Sequence, residues 1–241
     1  MDRDYIIVPE QKQIPRNQSF TKKLDDNFWI ELVHYHLLNF YKNYPKEELR
    51  SKIEAENNKP KGKKKEIEDV IKSYIVHWLE NIDKKINYQG IILNQEPKSK
   101  YNNKGFYDLK FQHSYWINHV TDKLNYYVLE CKNLSTRQNL INEYVYVDAK
   151  DDGGIYRYFN GKYAQEQSFG GMIGFILRGE VKAIKQKIIE KLQNSFKDQN
   201  GRLISNGIID NSLYDNDFTF QSSHLRNEQL FNIYHLLLNV S

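Results

Sequence analysis

Two acidic residues and a lysine have types and spacing that fit a metal-dependent hydrolase. Glu130 and Lys132 occupy alternate positions near the end of the run YYVLECK, and Asp108 lies earlier, in the run GFYDLKFQ. Alternate residues of a β-strand point to the same face and lie roughly 6.6 Å apart. Glu130 and Lys132 can therefore reach one ligand, and an adjacent strand can bring Asp108 to the same place.

The spacing of an acidic residue and a lysine carries little information alone in this lysine-rich chain. Glu130 differs from the other cases because it ends an apolar run that alternates like a strand, with Leu129 and Cys131 on the opposite face. In the earlier run, alternation likewise predicts Asp108 on the face opposite Tyr107 and Leu109. The same spacing also occurs, outside such a run, at Glu10, Asp83, Glu96, Asp148 and Glu180.

Two carboxylates on adjacent strands repel each other unless a cation joins them. Carboxylate oxygens are hard ligands, which suit Mg²⁺ or Mn²⁺. The sequence therefore predicts a divalent metal site at Asp108 and Glu130. The alternative is a cross-strand polar pair on a half-exposed sheet.

With a helix ahead of the first strand, these residues resemble the PD-(D/E)XK nuclease superfamily, which includes type II restriction enzymes and many bacterial defence nucleases. The resemblance covers residues 64–135, and Tyr107 stands where the superfamily motif has proline. It implies an α/β fold with a restriction-endonuclease-like core, in the order αβββαβ, around a central mixed sheet flanked by helices.

The resemblance also implies a role for each residue. Asp108, Glu130 and the backbone carbonyl of Cys131 would hold the metal, and Lys132 would position or activate the attacking water. Many members add a glutamate from the preceding helix, and Glu68 lies at the edge of the apolar face of that helix. The alternative for Glu68 is an acidic residue favoured by the helix dipole.

Further segments carry groups that could contact a substrate. His224 and Arg226 lie in the run FQSSHLR, and Arg157 and Lys162 lie among aromatic residues in DDGGIYRYFNGKYA. The alternatives are a helix N-cap at Ser223 and aromatic residues that pin a long loop to the core. The lysine run 57–65 is either a solvated loop or a phosphate-binding arm.

Hydrophobic periodicity predicts helices at residues 25–42 and 66–83 and in EVKAIKQKIIEKLQNSF. It predicts strands in YQGIILNQ, GFYDLKFQ, NYYVLECKNL, GGMIGFIL and DFTFQSSH, whereas the last run, RNEQLFNIYHLLLNV, fits a helix or a strand. This order indicates a single mixed α/β domain over residues 1–241, with an N-terminal arm at 1–22 and an insertion loop at 148–169.

Composition indicates a folded protein, because 39% of the residues are hydrophobic and 14% are aromatic. The net charge of +4 gives only weak support for a polyanionic partner. The chain has one cysteine, Cys131, which fits a reducing compartment. The N-terminal residues lack a signal-peptide layout and no apolar run is long enough to span a bilayer, so we expect a cytoplasmic protein without membrane contact.

The expected function is hydrolysis of phosphodiester bonds in DNA, in preference to RNA, with Mg²⁺ or Mn²⁺ as cofactor. The resemblance implies a role in defence against foreign DNA, and it leaves room for a homodimer or a regulatory partner protein. Two alternatives remain open. One is an inactive nucleic-acid-binding or interaction module on the same fold, and the other is a structural protein in which Asp108 and Glu130 are incidental.

Overall fold

The computed structural model describes residues 18–97, 106–118, 123–147, 152–196, 205–209, 214 and 216–241. Over these residues the chain forms a seven-stranded mixed sheet flanked by helices. The strands are β1 (Ile91–Gln95), β2 (Leu109–Asn118), β3 (Lys123–Ser135), β4 (Phe169–Arg178), β5 (Ser205–Ile209), β6 (Thr219–Arg226) and β7 (Gln229–Asn239).

The strands lie in the order β1-β2-β3-β4-β7-β6-β5. The pairs β1–β2 and β2–β3 are antiparallel, and β3–β4 and β4–β7 are parallel. The remaining pairs, β7–β6 and β6–β5, are antiparallel. The parallel strands therefore lie at the centre of the sheet, where both faces are covered.

Helices cover the two faces of the sheet. They are α1 (Gln18–Asn43), α2 (Lys46–Asn57), α3 (Ile67–His77), the short α4 (Lys85–Tyr88), α5 (Gln138–Val145) and α6 (Val181–Ser195). One core cluster joins α1, α2 and α3 to Leu129 and Cys131 of β3. A second cluster joins α5 and α6 to Val128 and Leu134 on the other face of the same strand. The alternation expected for β3 is therefore confirmed.

Apolar runs explain the elements that were predicted. GGMIGFIL forms β4, which is buried on both faces as a central parallel strand requires. In α6, Ile184, Ile188 and Leu192 recur at helical spacing and are fully buried. The last run of the chain, which fitted either helix or strand, is the strand β7.

The helix predicted over 66–83 is confirmed, since the chain is helical from Ile67 to Asp83, with its last turn, Trp78–Asp83, in π-helical form. Two predictions on helix ends were wrong. The first helix begins at Gln18, before the expected start at residue 25 and within the expected arm, of which residues 1–17 lie outside the described residues. Ser223 is not a helix N-cap, because it lies within β6. None of the described helices has an apolar stretch long enough to cross a membrane.

The described part of the expected insertion, residues 152–168, packs against the sheet. It contains a 3₁₀ turn, Ile155–Tyr158, and its residues Tyr156, Tyr158 and Tyr163 are buried in the second core cluster. These aromatic rings therefore pin the loop to the core, which was the alternative to base stacking. Residues 148–151, at the start of the expected insertion, lie outside the described residues.

Candidate active site

The four residues with expected catalytic roles meet at one place in the fold. Glu68 lies in the first turn of α3, and Asp108 lies in a bend immediately before β2. Glu130 and Lys132 occupy alternate positions of β3. Because β2 pairs with β3, Asp108 lies beside the backbone of Cys131, between the other two residues of the motif.

Lys132 lies at the centre of this group. Its Nζ atom is 2.8 Å from Glu130 Oε1, 3.2 Å from Glu68 Oε1 and 4.0 Å from Asp108 Oδ2. It also donates a hydrogen bond of 2.7 Å to the Cys131 carbonyl. Burial lowers the pKa of Lys132, but the three carboxylates, Glu130 foremost, outweigh burial and raise the pKa above its usual value. Lys132 is therefore a fixed positive charge at neutral pH.

Asp108 is held by groups that stabilise its ionised form. Its Oδ2 accepts a 2.7 Å hydrogen bond from the Cys131 amide, and its Oδ1 lies 2.8 Å from Lys72 Nζ. Burial would raise the pKa of Asp108, but Lys132, Lys72 and the amide together lower it below its usual value. Tyr107 does not share a face with Leu109 as expected, because β2 begins only at Leu109; Tyr107 packs in the second core cluster instead.

Glu130 is enclosed among both kinds of charge. Its side chain has no exposed surface, and its Oε1 receives both Lys132 at 2.8 Å and Arg157 at 2.7 Å. Burial, followed by repulsion from Asp108, raises the pKa of Glu130 to about 7. Its other oxygen, Oε2, is buried and has no hydrogen-bond partner among the residues that the structure describes. A buried carboxylate oxygen without a partner is unfavourable, so this atom marks a place where a further ligand can be bound.

Lys72 is a member of the group that sequence reasoning missed. Its ammonium lies 2.8 Å from both Asp69 and Asp108 and 3.3 Å from Glu96, and its side chain is only 3% exposed. The available signal was its spacing, since Lys72 follows Glu68 by one helical turn on the same face. In a chain with so many lysines, that signal does not separate it from a solvated residue.

Arg157 and Lys162 lie in the loop over residues 152–168, where both contact Asp152. The Arg157 Nε and the Lys162 Nζ are each 3.2 Å from Asp152 Oδ1. Arg157 Nη1 also donates to the Tyr163 hydroxyl at 3.1 Å, besides its contact with Glu130. Both residues were expected to contact the substrate, and the structure adds Arg157 to the carboxylate cluster itself.

His224 and Arg226 are directed at the protein's own atoms. His224 is fully buried, bonded to Ser222 and packed edge-on against Phe159 and Phe196. Arg226 donates to the backbone carbonyls of residues 158, 164 and 167 and stacks over the Phe231 ring. Their expected contact with the substrate stays a prediction.

The lysine run 57–65 is an exposed loop whose two ends are tied to one carboxylate. Glu56 accepts a bond of 2.7 Å from Lys59 Nζ and one of 2.6 Å from the Lys65 amide. The loop leads directly into α3, so Lys65 is only three residues from Glu68 and their Cα atoms lie within ~11 Å.

The chemistry of the donor set fits Mg²⁺ or Mn²⁺. The side chains of Glu68, Asp108 and Glu130 and the Cys131 carbonyl supply only oxygen atoms, and Glu130 Oε2 has no partner within the described part of the chain. Over the described residues, no three His, Cys, Asp or Glu side chains stand close enough to form a ready metal site. Side-chain cations bind the carboxylates instead, so metal binding would require these cations to be rearranged. The Cys131 side chain is buried in the first core cluster, where burial raises the pKa of its thiol well above the usual value.

Comparison with known proteins gave no relative: no protein-family model, no curated protein and no solved structure matches this chain.

Proposed function

We propose that the protein is a metal-dependent nuclease with a restriction-endonuclease-like core, which hydrolyses phosphodiester bonds of DNA. The observation that carries the proposal is the convergence of Glu68, Asp108 and Glu130 on Lys132. These four residues come from a helix, a strand end and a strand that are separate along the chain. From α3 to β4, the elements other than the short α4 and single helical turns follow the order αβββαβ.

The types of donor atom support a choice of metal ligands. Asp108, Glu130 and the Cys131 carbonyl would hold Mg²⁺ or Mn²⁺, with Glu68 at the edge of the site. When bound, such an ion supplies Lewis-acid stabilisation of charge that develops on the phosphate.

Two lysines of the chain would assist the metal ion. Lys132 carries a fixed positive charge beside all three carboxylates, so it can orient a water molecule and stabilise a negatively charged transition state. Lys72 holds Asp108 ionised and fixes its orientation through Oδ1.

A polyanionic substrate fits the surroundings of the cluster. The loop that leads into α3 carries exposed lysines, and within the described residues only Lys59 of this loop takes part in an ion pair. Exposed lysines of this kind bind phosphate groups without regard to base sequence. DNA is therefore the proposed substrate, and RNA is a second one to test.

The alternative is a module that binds nucleic acid without cleaving it. The observation that favours it is that side-chain cations already occupy the carboxylates, because Lys72, Lys132 and Arg157 bind Asp108, Glu68 and Glu130. Such a module would bind DNA in EDTA and give no metal-dependent product.

A plasmid-cleavage assay separates the two functions. The wild-type protein is incubated with Mg²⁺, with Mn²⁺ and with EDTA, beside Asp108→Ala and Lys132→Ala. A nuclease cuts only with metal, and both variants are inactive. Equal nicking by the wild type and both variants would mean that a contaminant makes the product.

A further inference from the structure

Arg157 differs from the other cations of the cluster in what else it binds. It lies in the 3₁₀ turn between α5 and β4, and its guanidinium joins Glu130 at 2.7 Å to Asp152 at 3.2 Å. Glu130 is fully enclosed, whereas the Asp152 side chain is 29% exposed. Arg157 therefore connects the interior of the cluster to a carboxylate nearer to solvent.

The carboxylates of the cluster already have side-chain cations bound to them. Glu130 Oε1 contacts both Lys132 at 2.8 Å and Arg157 at 2.7 Å, and Glu68 and Asp108 contact Lys132 and Lys72. A divalent ion bound to Glu130 would lie close to both Lys132 and Arg157 in a largely buried place, where repulsion between like charges is strongly unfavourable. At least one side-chain cation must therefore withdraw when such an ion binds.

Arg157 can withdraw more easily than either lysine. Lys72 is almost fully buried, and Lys132 is within 4.0 Å of all three carboxylates. The Arg157 side chain is 28% exposed, and its ion pair with Asp152, made through Nε, does not depend on the Nη1 contact with Glu130.

We propose that Arg157 is a displaceable counter-ion, which holds Glu130 in the metal-free protein and moves to Asp152 when Mg²⁺ or Mn²⁺ binds. The inference rests on the proposed function, because it takes Glu130 as a metal ligand. Arg157 is then a positioning residue that sets the affinity for the metal. Asp152 is its second partner and favours the metal-bound state.

Calorimetric titration of the protein with Mn²⁺ at pH 8, without nucleic acid, tests this directly. Arg157→Gln removes the competing cation, so Mn²⁺ should bind on the order of tenfold more tightly. Asp152→Asn removes the outer partner of Arg157, so Mn²⁺ should bind more weakly. A general loosening of the loop would change the affinity in the same direction in both variants.

Arg178→Gln is the matched control, since it removes one positive charge from an exposed arginine at the end of β4. Its affinity for Mn²⁺ should equal that of the wild type. If Arg157→Gln fails to fold, Arg157→Lys replaces it in the test. The single ammonium of lysine cannot hold Glu130 and Asp152 together as the guanidinium does, so this variant should also bind Mn²⁺ more tightly than the wild type.

Two results would overturn the proposal. The first concerns the role of Arg157 alone, and the second also concerns the proposed nuclease function. If the wild type cuts DNA and binds Mn²⁺ but folded Arg157→Gln binds it equally or more weakly, only the role of Arg157 is wrong. If neither the wild type nor Arg157→Gln binds Mn²⁺ and no cleavage occurs, the proposed function fails together with it.

Discussion

At Glu130 the protein encloses a carboxylate among charges of both signs. Burial and Asp108 favour its neutral form, whereas Lys132 and Arg157 favour the ionised form, and the pKa settles at about 7. Asp108, one strand away, has a pKa below its usual value because Lys132 and Lys72 outweigh its burial. Two carboxylates in one cluster therefore titrate in different ranges of pH, as acids with different roles in one site often do.

The raised pKa of Glu130 predicts how stability depends on pH. In the unfolded chain the pKa of Glu130 is near 4.5, so the folded protein binds a proton at this residue more tightly. Glu130 therefore lowers the free energy of unfolding as the pH rises from about 4.5 to about 7. Glu130→Gln lacks this titration. Urea unfolding of both proteins at several pH values should show that the free energy of unfolding of the wild type falls relative to the variant, by at most ~1.4 kcal/mol per pH unit.

Asp108 does not obscure that measurement. Its pKa is lowered, so the stability that it contributes is lost only as the pH falls below the unfolded value of about 3.8. If the free energies of unfolding of the wild type and Glu130→Gln differ by the same amount at every pH from 5 to 7, the environment assigned to Glu130 is wrong.

Lys72→Met should destabilise the protein strongly. The substitution leaves Asp108 buried without its nearest cation, and breaking a buried ion pair in this way costs about 3–5 kcal/mol. Lys52→Met is the matched control, because Lys52 also follows its partner, Glu48, by one helical turn but is about half exposed. That substitution should cost less than about 1 kcal/mol. Equal unfolding midpoints in urea for the two variants would mean that Lys72 is not part of a buried network.

Among the helices and strands, the sequence predicted the ones in which apolar residues repeat along one face of the element. The helix at α3 and the strands β1 to β4 were found because their apolar residues repeat at one period. Among the elements missed were α2, which has only Leu49 and Glu56 buried, α4, which is only four residues long, and β5, which is only five residues long. The tail is a strand because Asn227 and Glu228 both adopt positive φ in a tight turn, which pairs β7 with β6.

Part of the candidate site could be predicted from the alternation of apolar and polar residues along the strands. Asp108, Glu130 and Lys132 could be found because strand alternation places them on particular faces and adjacent strands bring them together. The contribution of Lys72 and Arg157 could not be predicted, because it depends on contacts between elements far apart in the chain. Arg157 meets Glu130 only because the loop over 152–168 folds back on the sheet.

Gly171 allows β4 to lie against β3 at the level of the site, where it pairs with Leu129. A Cβ atom at this position would lie 2.5 Å from the Tyr127 hydroxyl and 2.6 Å from Leu129 Cδ2. Gly171→Ala should therefore destabilise the fold by about 1–3 kcal/mol through overpacking of the core. Urea unfolding measures the change, and an unchanged midpoint would show that β3 and β4 are less closely packed than described.

For the whole molecule, the exposed lysines before α3 predict how DNA binding responds to salt. Replacing Lys61, Lys63 and Lys64 by Gln removes charges that can contact phosphates, so the dependence of log K on log salt should become shallower by up to roughly 2.7 for duplex DNA. Fluorescence anisotropy with labelled DNA in EDTA measures this slope. The same change at Lys182, Lys187 and Lys191 on α6 is the control with equal charge.

A slope that changes equally in both triple variants would show that DNA binding depends on net charge alone. A slope that changes only in the α6 variant would place the DNA on the other face of the sheet.

The single-turnover rate of DNA cleavage with Mn²⁺ shows whether the carboxylates around Lys132 form a hydrolytic site. Glu130→Gln keeps the size of the side chain but removes its charge, so the rate should fall by at least about 100-fold. Glu190→Gln, at an exposed position of α6, should cleave at the wild-type rate. Cleavage by folded Glu130→Gln at the wild-type rate would contradict the account.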